Sequence, residues 1–299
     1  MYVEKKSIKA VFVIPFCDRD ITQFYDTLRS IRYYVREPHA IVCINDCSPA
    51  QCNPLGLQQM SDPAIVPFIP HTDGSWPRNT YGSLFCKKYQ AMQYAADQFS
   101  FDYMINLDTD ALVTGHDLIS LIDQYFEQAN PGIGMIGSYA TRADGRKRTR
   151  WQWAFYLLYL TYFKQEISRT SLLWSQWIPE ARKHGYKLGR HLLGGAFISR
   201  SGFIQRMIST YPYETLIRNN MQFLNVGDDV LFSLLAFACG YQIGDFGRPN
   251  DPMAIAQKYL PLRKEAIHEQ KKQIIHSVKK GLNGESEEEL RSYFKNFRM

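Results

Sequence analysis

The first 140 residues alternate between short apolar segments and amphipathic segments, and this alternation restricts the fold more than any other feature of the chain. The apolar segments are typical of buried strands; they are residues 8–16, 40–45, 64–70, 103–107 and 132–140. Apolar residues at helical spacing mark the segments 21–37, 83–99 and 116–129. Strands that are apolar throughout and alternate with helices predict an α/β fold with a mostly parallel central sheet flanked by helices.

The pattern is less regular in the second half of the chain. Residues 141–190 are basic and aromatic, show no clear period, and hold four of the five tryptophans, which are Trp151, Trp153, Trp174 and Trp177. The elements predicted after them are strands at 192–200 and 241–246, a helix at 228–240, a helix at 252–273 broken at Pro261, and an extended segment at 274–280. A terminal helix at 286–297 begins with Ser286 and Glu289 at capping-box spacing.

Composition and length restrict the class of protein. A chain of 299 residues that is 45% apolar can form one large domain or two small ones. The six cysteines contain no CxxC pair and no common zinc spacing, so we expect free thiols in a reducing compartment. The sequence shows no secretory signal and no apolar run of the roughly 18–20 residues that a membrane span needs. A cytoplasmic protein is therefore expected.

The basic residues are concentrated in one segment. The net charge is only +6, and "RADGRKRTR" at 142–150 holds five basic residues against one acidic residue. Such a run is usually a solvated loop, but here an aromatic stretch at 151–163 follows it. Peripheral contact with the inner face of the cell membrane through 142–163 is therefore left open. We expect no nucleic-acid partner.

Two aspartates follow the predicted strand 103–107. Asp108 and Asp110 are two positions apart, and both come directly after an apolar segment in the α/β series. Ligands of such sheets bind beyond the carboxyl ends of the strands. Two carboxylates there can hold Mg²⁺ or Mn²⁺, which prefer oxygen ligands and keep positions open for phosphate oxygens. The alternative is that both are solvated loop residues.

The order of several motifs along residues 8–280 resembles that of GT-A-fold glycosyltransferases of the bacterial, family-2-like kind. The motifs are "VFVIPFCDRD", "IVCINDCSP", "NTYGSLFCKKYQAMQYA", "LDTD", "LLGGAFISRSGF" and "GDDVLFSLLAFACGY". The resemblance implies a Rossmann-like GT-A domain with a donor-binding half at 1–110 and an acceptor-binding half at 111–250. Residues 251–299 would form a C-terminal helical extension that carries His276.

The resemblance also implies a donor site for a nucleotide-diphosphate sugar, with a UDP-sugar as the expected donor. In the first strand, Pro15 would border the donor, and Asp46 would contact its nucleoside, although Asn45 stands where many members have Asp. Asp108 would bind both the metal ion and the donor. Members of this fold complete the metal site with a C-terminal His and contact the diphosphate with a nearby Lys, which implies His276 as a ligand and Lys279 as the phosphate contact.

Asp228 and Asp229 begin the predicted helix 228–240. Inverting transfer needs a base that accepts the proton of the acceptor hydroxyl, and a helix N-terminus keeps a carboxylate ionised. The resemblance implies Asp229 as the base and Asp228, which stands where Glu is usual, as its neighbour on the acceptor side. The alternative is that both residues only cap the helix. The tryptophans of 151–177 could line the acceptor groove, belong to the core or lie at a membrane interface.

The expected function is metal-dependent transfer of a sugar to a carbohydrate or lipid-linked hydroxyl, with inversion, in surface polysaccharide or glycan synthesis. A haloacid-dehalogenase-type phosphatase would also place DxD after a strand, but Leu112, Phe232 and Ser233 stand where that family expects other residues. A nucleotidyltransferase usually begins with a Gly-rich loop, which "VIPFCDRD" lacks. A non-catalytic carbohydrate-binding protein on the same frame is the remaining alternative.

Overall fold

The structure is a computed structural model that describes residues 5–46, 64–72, 76–77, 80–148, 151–162, 164 and 167–298. Its main sheet has seven strands: β2 (Ala10–Phe16), β3 (His39–Asn45), β4 (Ile65–Phe68), β6 (Tyr103–Leu107), β8 (Ile133–Gly137), β9 (Ala196–Arg200) and β10 (Gln242–Asp245). Their spatial order is β10-β8-β9-β6-β2-β3-β4. Two further strands, β1 (Lys6–Ser7) and β5 (Phe99–Ser100), form a small parallel pair beside it.

The sheet is mostly parallel, as the alternation predicted. β9 is the exception, because it pairs antiparallel with both β6 and β8. Side chains on β2 alternate between two cores: Val11 and Val13 pack on one face, whereas Phe12 and Ile14 pack on the other. This two-residue period explains why the strand is apolar throughout, since both faces are covered.

Eleven helices are described. They are α1 (Ile21–Tyr34), α2 (Tyr81–Gln98), α3 (Leu118–Gln128), α4 (Trp151–Tyr162), α5 (Ile167–Leu172), α6 (Ile178–Lys183), α7 (Ser201–Thr210), α8 (Tyr213–Arg218), α9 (Asp228–Ala238), α10 (Lys264–Glu269) and α11 (Glu287–Lys295). Helices α1 and α3 cover one face of the sheet, and α2, α7 and α9 cover the other. A π-helical turn, Leu173–Trp177, joins α5 to α6. Among the described residues, none of the helices combines enough length with enough apolar character to cross a membrane.

The predicted helix at 252–273 is wrong. That segment contains strand β11 (Met253–Ile255), a loop and the short helix α10. Met253 and Ile255 pack into the core on the sheet face that α1 and α3 cover, whereas Ala254 packs into a separate C-terminal cluster. This period of two is that of a strand, and Pro252 and Pro261 on either side prevent a continuous helix.

The C-terminal segment is attached to the main domain through a second sheet. β12 (Ile274–His276) pairs parallel with β11 and antiparallel with β7 (Leu112–Val113). Residues 251–299 therefore contain both strands and helices, and they are attached to the main domain at β7, which begins two residues after Asp110. The predicted capping box is confirmed: the Ser286 side chain accepts from the backbone of Glu289, whose side chain accepts from the backbone of Ser286.

The aromatic segment 151–177 divides between core and surface. Trp177 is fully buried, Trp174 is half-buried and Trp151 is 63% exposed. The side chain of Trp153 lies outside the described part of the chain. Four cysteines are described, Cys17, Cys43, Cys86 and Cys239, and all are free thiols. Cys47 and Cys52 are outside the described residues.

Candidate functional site

The aspartates of the DxD sequence lie in a turn at the carboxyl end of β6. The backbone N–H of Asp108 donates to the carbonyl of Gly195 (2.9 Å) at the start of β9. The Thr27 hydroxyl on α1 lies 2.9 Å from the Thr109 carbonyl and 2.8 Å from that of Ala111. Because two other elements contact its backbone, the turn has a fixed shape in which both carboxylates are held in place.

Asp108, Asp110 and His276 form a cluster, called here the metal cluster. One ligand atom from each residue lies within 4.8 Å of the other two. Nδ1 of His276 is 2.7 Å from the Ala256 carbonyl oxygen, and Nε2 is 3.1 Å from Oδ1 of Asp110. A proton on Nδ1 satisfies that carbonyl. Nε2 donates to Asp110 when the ring is charged, and after losing its proton it faces the carboxylates as a ligand atom, which is how metal-binding histidines are usually held. Two carboxylates and an imidazole are a donor set that fits Mn²⁺ or Mg²⁺.

Asp110 is buried and surrounded by donors. Its Oδ2 accepts from the hydroxyl of Ser277 (2.6 Å) and lies 3.1 Å from Nζ of Lys279. Burial alone would raise the pKa of Asp110, but the contact with His276, the Ser277 hydrogen bond and the charge of Lys279 outweigh it and hold the pKa well below its usual range. Asp110 is therefore an anion ready to bind a cation.

A glycine makes room for the histidine. Gly195 has φ of +96°, and a Cβ built there would lie 2.3 Å from Cε1 of His276. Both the left-handed backbone and the missing side chain are needed at this position. The glycine pair before β9 therefore sets how closely the histidine can approach the main sheet.

The residues predicted for the donor line one cleft at the carboxyl ends of β2, β3 and β6. The cleft has a volume of about 210 Å³, and its walls include Pro15, Asp46, Asp108, Asp110 and Lys279. Asp46 follows β3, its backbone N–H donates to the Phe16 carbonyl, and its carboxylate pairs with Lys87 of α2. The structure thus brings five predicted residues together from four separate parts of the chain, while the role of each stays a prediction.

Asp228 and Asp229, called here the acid pair, begin α9 as predicted. The N-cap of the helix is Gly227, and Asp228 forms no side-chain cap; its Oδ2 instead accepts from Nζ of Lys88 (2.7 Å). Oδ1 of Asp229 accepts from the adjacent N–H of Val230 (2.9 Å), so this residue does bond to its own helix. Burial raises the pKa of both carboxyl groups, and the charge of Lys88 opposes the rise.

Lys88 connects the metal cluster to the acid pair, and the sequence analysis did not identify it. Its side chain is 2% exposed, and its Nζ lies 3.1 Å from Oδ1 of Asp108 as well as 2.7 Å from Asp228. Burial would lower the pKa of Lys88, but the two carboxylates outweigh it and raise the pKa. The sequence did indicate that Lys88 is buried, because it falls between Phe85 and Met92 on the apolar face of α2.

A second cavity lies between the loop at 189–191 and the start of α4. It has a volume of about 350 Å³ and is lined by Tyr139, Ala140, Arg148, Trp151, Gly189, Arg190 and His191. The Arg148 guanidinium donates to the carbonyls of Ser138, Tyr139 and His191. Burial lowers the pKa of Arg148 to about 10, and the negative charge of Asp229 acts in the opposite direction. The charge of Asp229 in the acid pair therefore acts on Arg148 in the wall of this cavity.

No protein-family model and no curated protein matches the chain. Among solved structures, residues 1–349 of TarS from S. aureus are similar to it at 14% identity and a TM-score of 0.43, over 80% of this chain and 58% of that one. The mannosyltransferase PcManGT from Pyrobaculum calidifontis, in complex with GDP-Man and Mn²⁺, is similar at 12% identity and a TM-score of 0.44, over 81% of this chain and 56% of the other. This chain thus spans less than two thirds of those two.

A third similar structure is a glycosyltransferase involved in the glycosylation of the major capsid of PBCV-1. Its identity is 9% and its TM-score 0.46, and the match covers 96% of this chain and 99% of that one.

Proposed function

We propose that the protein is a metal-dependent glycosyltransferase that moves a sugar from a nucleotide-diphosphate sugar to a hydroxyl group. The observation that carries the proposal is the metal cluster itself. Asp108, Asp110 and His276 converge at the end of a central strand. The two aspartates of this cluster line a cleft whose walls also include Asp46 and Lys279. A phosphate-binding metal site beside a position for a nucleoside is the arrangement that this reaction needs.

The donor would lie along the cleft. Asp46 contacts the nucleoside, Pro15 borders it, and Lys279 contacts the diphosphate. Asp108, Asp110 and His276 would hold Mn²⁺ or Mg²⁺, and the bound ion would supply positive charge for the departing nucleoside diphosphate. The side chain of Lys279 is 63% exposed, so it can reach phosphate oxygens at the mouth of the cleft while its ammonium remains close to Asp110.

Asp229 would act as the base. Burial raises its pKa, which brings the carboxyl group closer to the proton affinity that a base needs near neutral pH. As the acceptor oxygen attacks the anomeric carbon, its proton passes to Asp229 while the bond to the diphosphate breaks, which gives inversion. Asp228 is held by Lys88 and positions its neighbour.

The finer assignments follow from the resemblance to family-2-like enzymes. They are a UDP-sugar as donor, a carbohydrate or lipid-linked acceptor, and a role in surface polysaccharide or glycan synthesis. The cavity beside Arg148 and Trp151 has the size and the aromatic wall that suit a sugar acceptor.

Calorimetric titration with UDP and with GDP, each with and without Mn²⁺, tests the proposal. Binding of one nucleotide that needs Mn²⁺ and is lost in Asp110→Ala is the expected result. Asp97→Asn, an exposed carboxylate on α2 outside the cleft, is the matched control and should bind normally. Failure of the wild-type protein to bind either nucleotide, or Mg²⁺-dependent phosphate release from simple phosphate esters, would contradict the transferase and favour the other readings.

A further inference from the structure

Helix α4 has an unusual surface. Its sequence, "WQWAFYLLYLTY", contains no charged residue. Ala154, Leu157 and Leu160 are buried on its inner side. On its outer side lie four aromatic residues that are exposed by 46–68%, and this set is called here the aromatic face: Trp151, Phe155, Tyr159 and Tyr162. A helix at the surface of a water-soluble domain normally carries charged and polar residues at such positions.

The aromatic face is a concentration of exposed apolar surface. Nine large hydrophobic side chains are exposed among the described residues, and four of them lie on this single helix. The other five are separated along the chain, and isolated exposed side chains need no explanation. Spacings of four, four and three residues place the four aromatic residues along one side of the helix. A contiguous patch of this kind marks a surface that contacts something apolar.

Basic residues flank α4 along the chain. Arg146 and Lys147 are exposed and come shortly before α4, and Arg146 is 3.7 Å from the carboxylate of Asp144. Lys164 follows the helix, and its Nζ lies 5.9 Å from the centre of the Tyr159 ring. Exposed aromatic rings between positive charges complement the interface of a bilayer with anionic headgroups. A patch that binds a second protein would not need the positive charges.

We propose that the aromatic face docks onto the surface of a membrane that contains anionic lipid, with α4 lying in the plane of the interface. The rings enter the headgroup region, and the lysine and arginine side chains contact lipid phosphates. None of the helices that the structure describes crosses the bilayer in this arrangement. The docking is a property of the surface and does not depend on the enzymatic activity.

The docking has a consequence for the acceptor, which rests on the proposed function. Trp151 belongs to the aromatic face and also lines the cavity that contains Arg148 and Arg190. Docking would therefore bring the cavity next to the bilayer surface. A hydroxyl acceptor on a lipid carrier could enter it while the lipid chain stays in the membrane.

Co-sedimentation with vesicles tests the docking without a donor or an acceptor. We expect the wild-type protein to bind vesicles of equimolar phosphatidylcholine and phosphatidylglycerol and to bind pure phosphatidylcholine vesicles more weakly. Phe155→Ser with Tyr159→Ser should weaken binding at least about tenfold, since two inserted rings are lost. Ile69→Ser with Leu282→Ser removes two exposed apolar side chains elsewhere and should bind as the wild type does. Arg146→Gln with Lys147→Gln should weaken binding only to the anionic vesicles.

Tryptophan fluorescence supplies a measurement that does not depend on a polar substitution. The emission of the wild-type protein should shift to shorter wavelength on anionic vesicles, and Trp151→Phe should reduce that shift. Absence of wild-type binding, an equal loss in the Ile69/Leu282 control, or a wild-type dimer in solution that Phe155→Ser dissociates would overturn the proposal. Nucleotide titration of the same variants separates this outcome from a failure of the proposed function.

Discussion

The metal cluster and the acid pair lie on either side of Lys88, and the pKa of Asp110 in the first shifts in the opposite direction from the pKa values of Asp228 and Asp229 in the second. Burial acts to raise the pKa of all three of these carboxyl groups. Around Asp110, the contacts with His276, Ser277 and Lys279 outweigh burial and lower the pKa. In the acid pair, Lys88 and backbone N–H groups do not outweigh it, and the pKa values rise. The difference shows that the neighbours of a buried carboxylate, and not burial alone, decide the direction in which its pKa shifts.

Replacing one carboxylate on each side should separate the two roles most clearly. We expect Asp229→Asn to lower kcat by about 10²–10⁴-fold, because the base is removed, while Mn²⁺-dependent nucleotide binding stays at the wild-type level. Asp110→Ala should instead lose the binding. Steady-state kinetics and calorimetry on both variants check this. Loss of nucleotide binding in Asp229→Asn would show that the two groups do not have separate roles.

Lys88→Met should damage both groups at once. The substitution leaves Asp108 and Asp228 without the buried cation they share, and removing one partner of a buried ion pair costs about 3–5 kcal/mol. Urea unfolding would measure the loss in the free energy of unfolding. The matched variant is Lys87→Met, which removes only the pair with Asp46 at the edge of the cleft. If both variants lose the same stability, Lys88 is not a special link.

The adjacent glycines offer a smaller and more selective comparison. A Cβ at Gly195 would lie 2.3 Å from the ring of His276, whereas one at Gly194 would lie 3.1 Å from Oδ2 of Asp229. Gly195→Ala should therefore displace the histidine and weaken Mn²⁺ affinity by about 10–100-fold. Gly194→Ala should leave Mn²⁺ affinity unchanged and reduce kcat. A metal titration with both variants checks the assignment, and equal Mn²⁺ affinities would contradict it.

The smallest expected effect concerns the pH dependence of stability. A carboxyl group whose pKa is raised by folding favours the folded state when protonated and loses that contribution as pH rises from its unfolded value of about 3.9 through its folded value. Asp229→Asn removes the titrating group and therefore this loss of stability. The stability of the variant relative to the wild type should therefore improve as the pH rises from acidic to neutral. Denaturant titrations over that range would reveal a flat difference if the pKa of Asp229 were not raised.

The parts of the structure that depend on local sequence were predictable. The strand before Asp108, the start of α9 at Asp228 and the capping box at Ser286 all follow from patterns a few residues long. The pairing of β9 in the antiparallel direction and the strand β11 depend on distant partners, and short-range patterns do not contain them.

Within the site, the acidic residues were recognisable because they follow strands or begin a helix. Lys88 was missed because its partners are 20 and 140 residues away along the chain. Its position on the apolar face of α2 shows that it is buried but does not show what it pairs with. The glycine that accommodates His276 was seen as part of a motif, but the reason for it requires the position of a histidine from a different sheet.

The turn that carries Asp108 and Asp110 also depends on residues near the end of the chain. Arg291 on α11 donates to the Thr109 carbonyl (2.8 Å) and also to the carboxylate of Asp26 (2.8 Å). His276 joins Asp110 across 166 residues. During synthesis the ribosome must therefore add residues 276 and 291 before the turn can make these contacts. The nascent chain can form much of its sheet early, but the turn that carries both aspartates reaches this geometry only after α11 has packed against it.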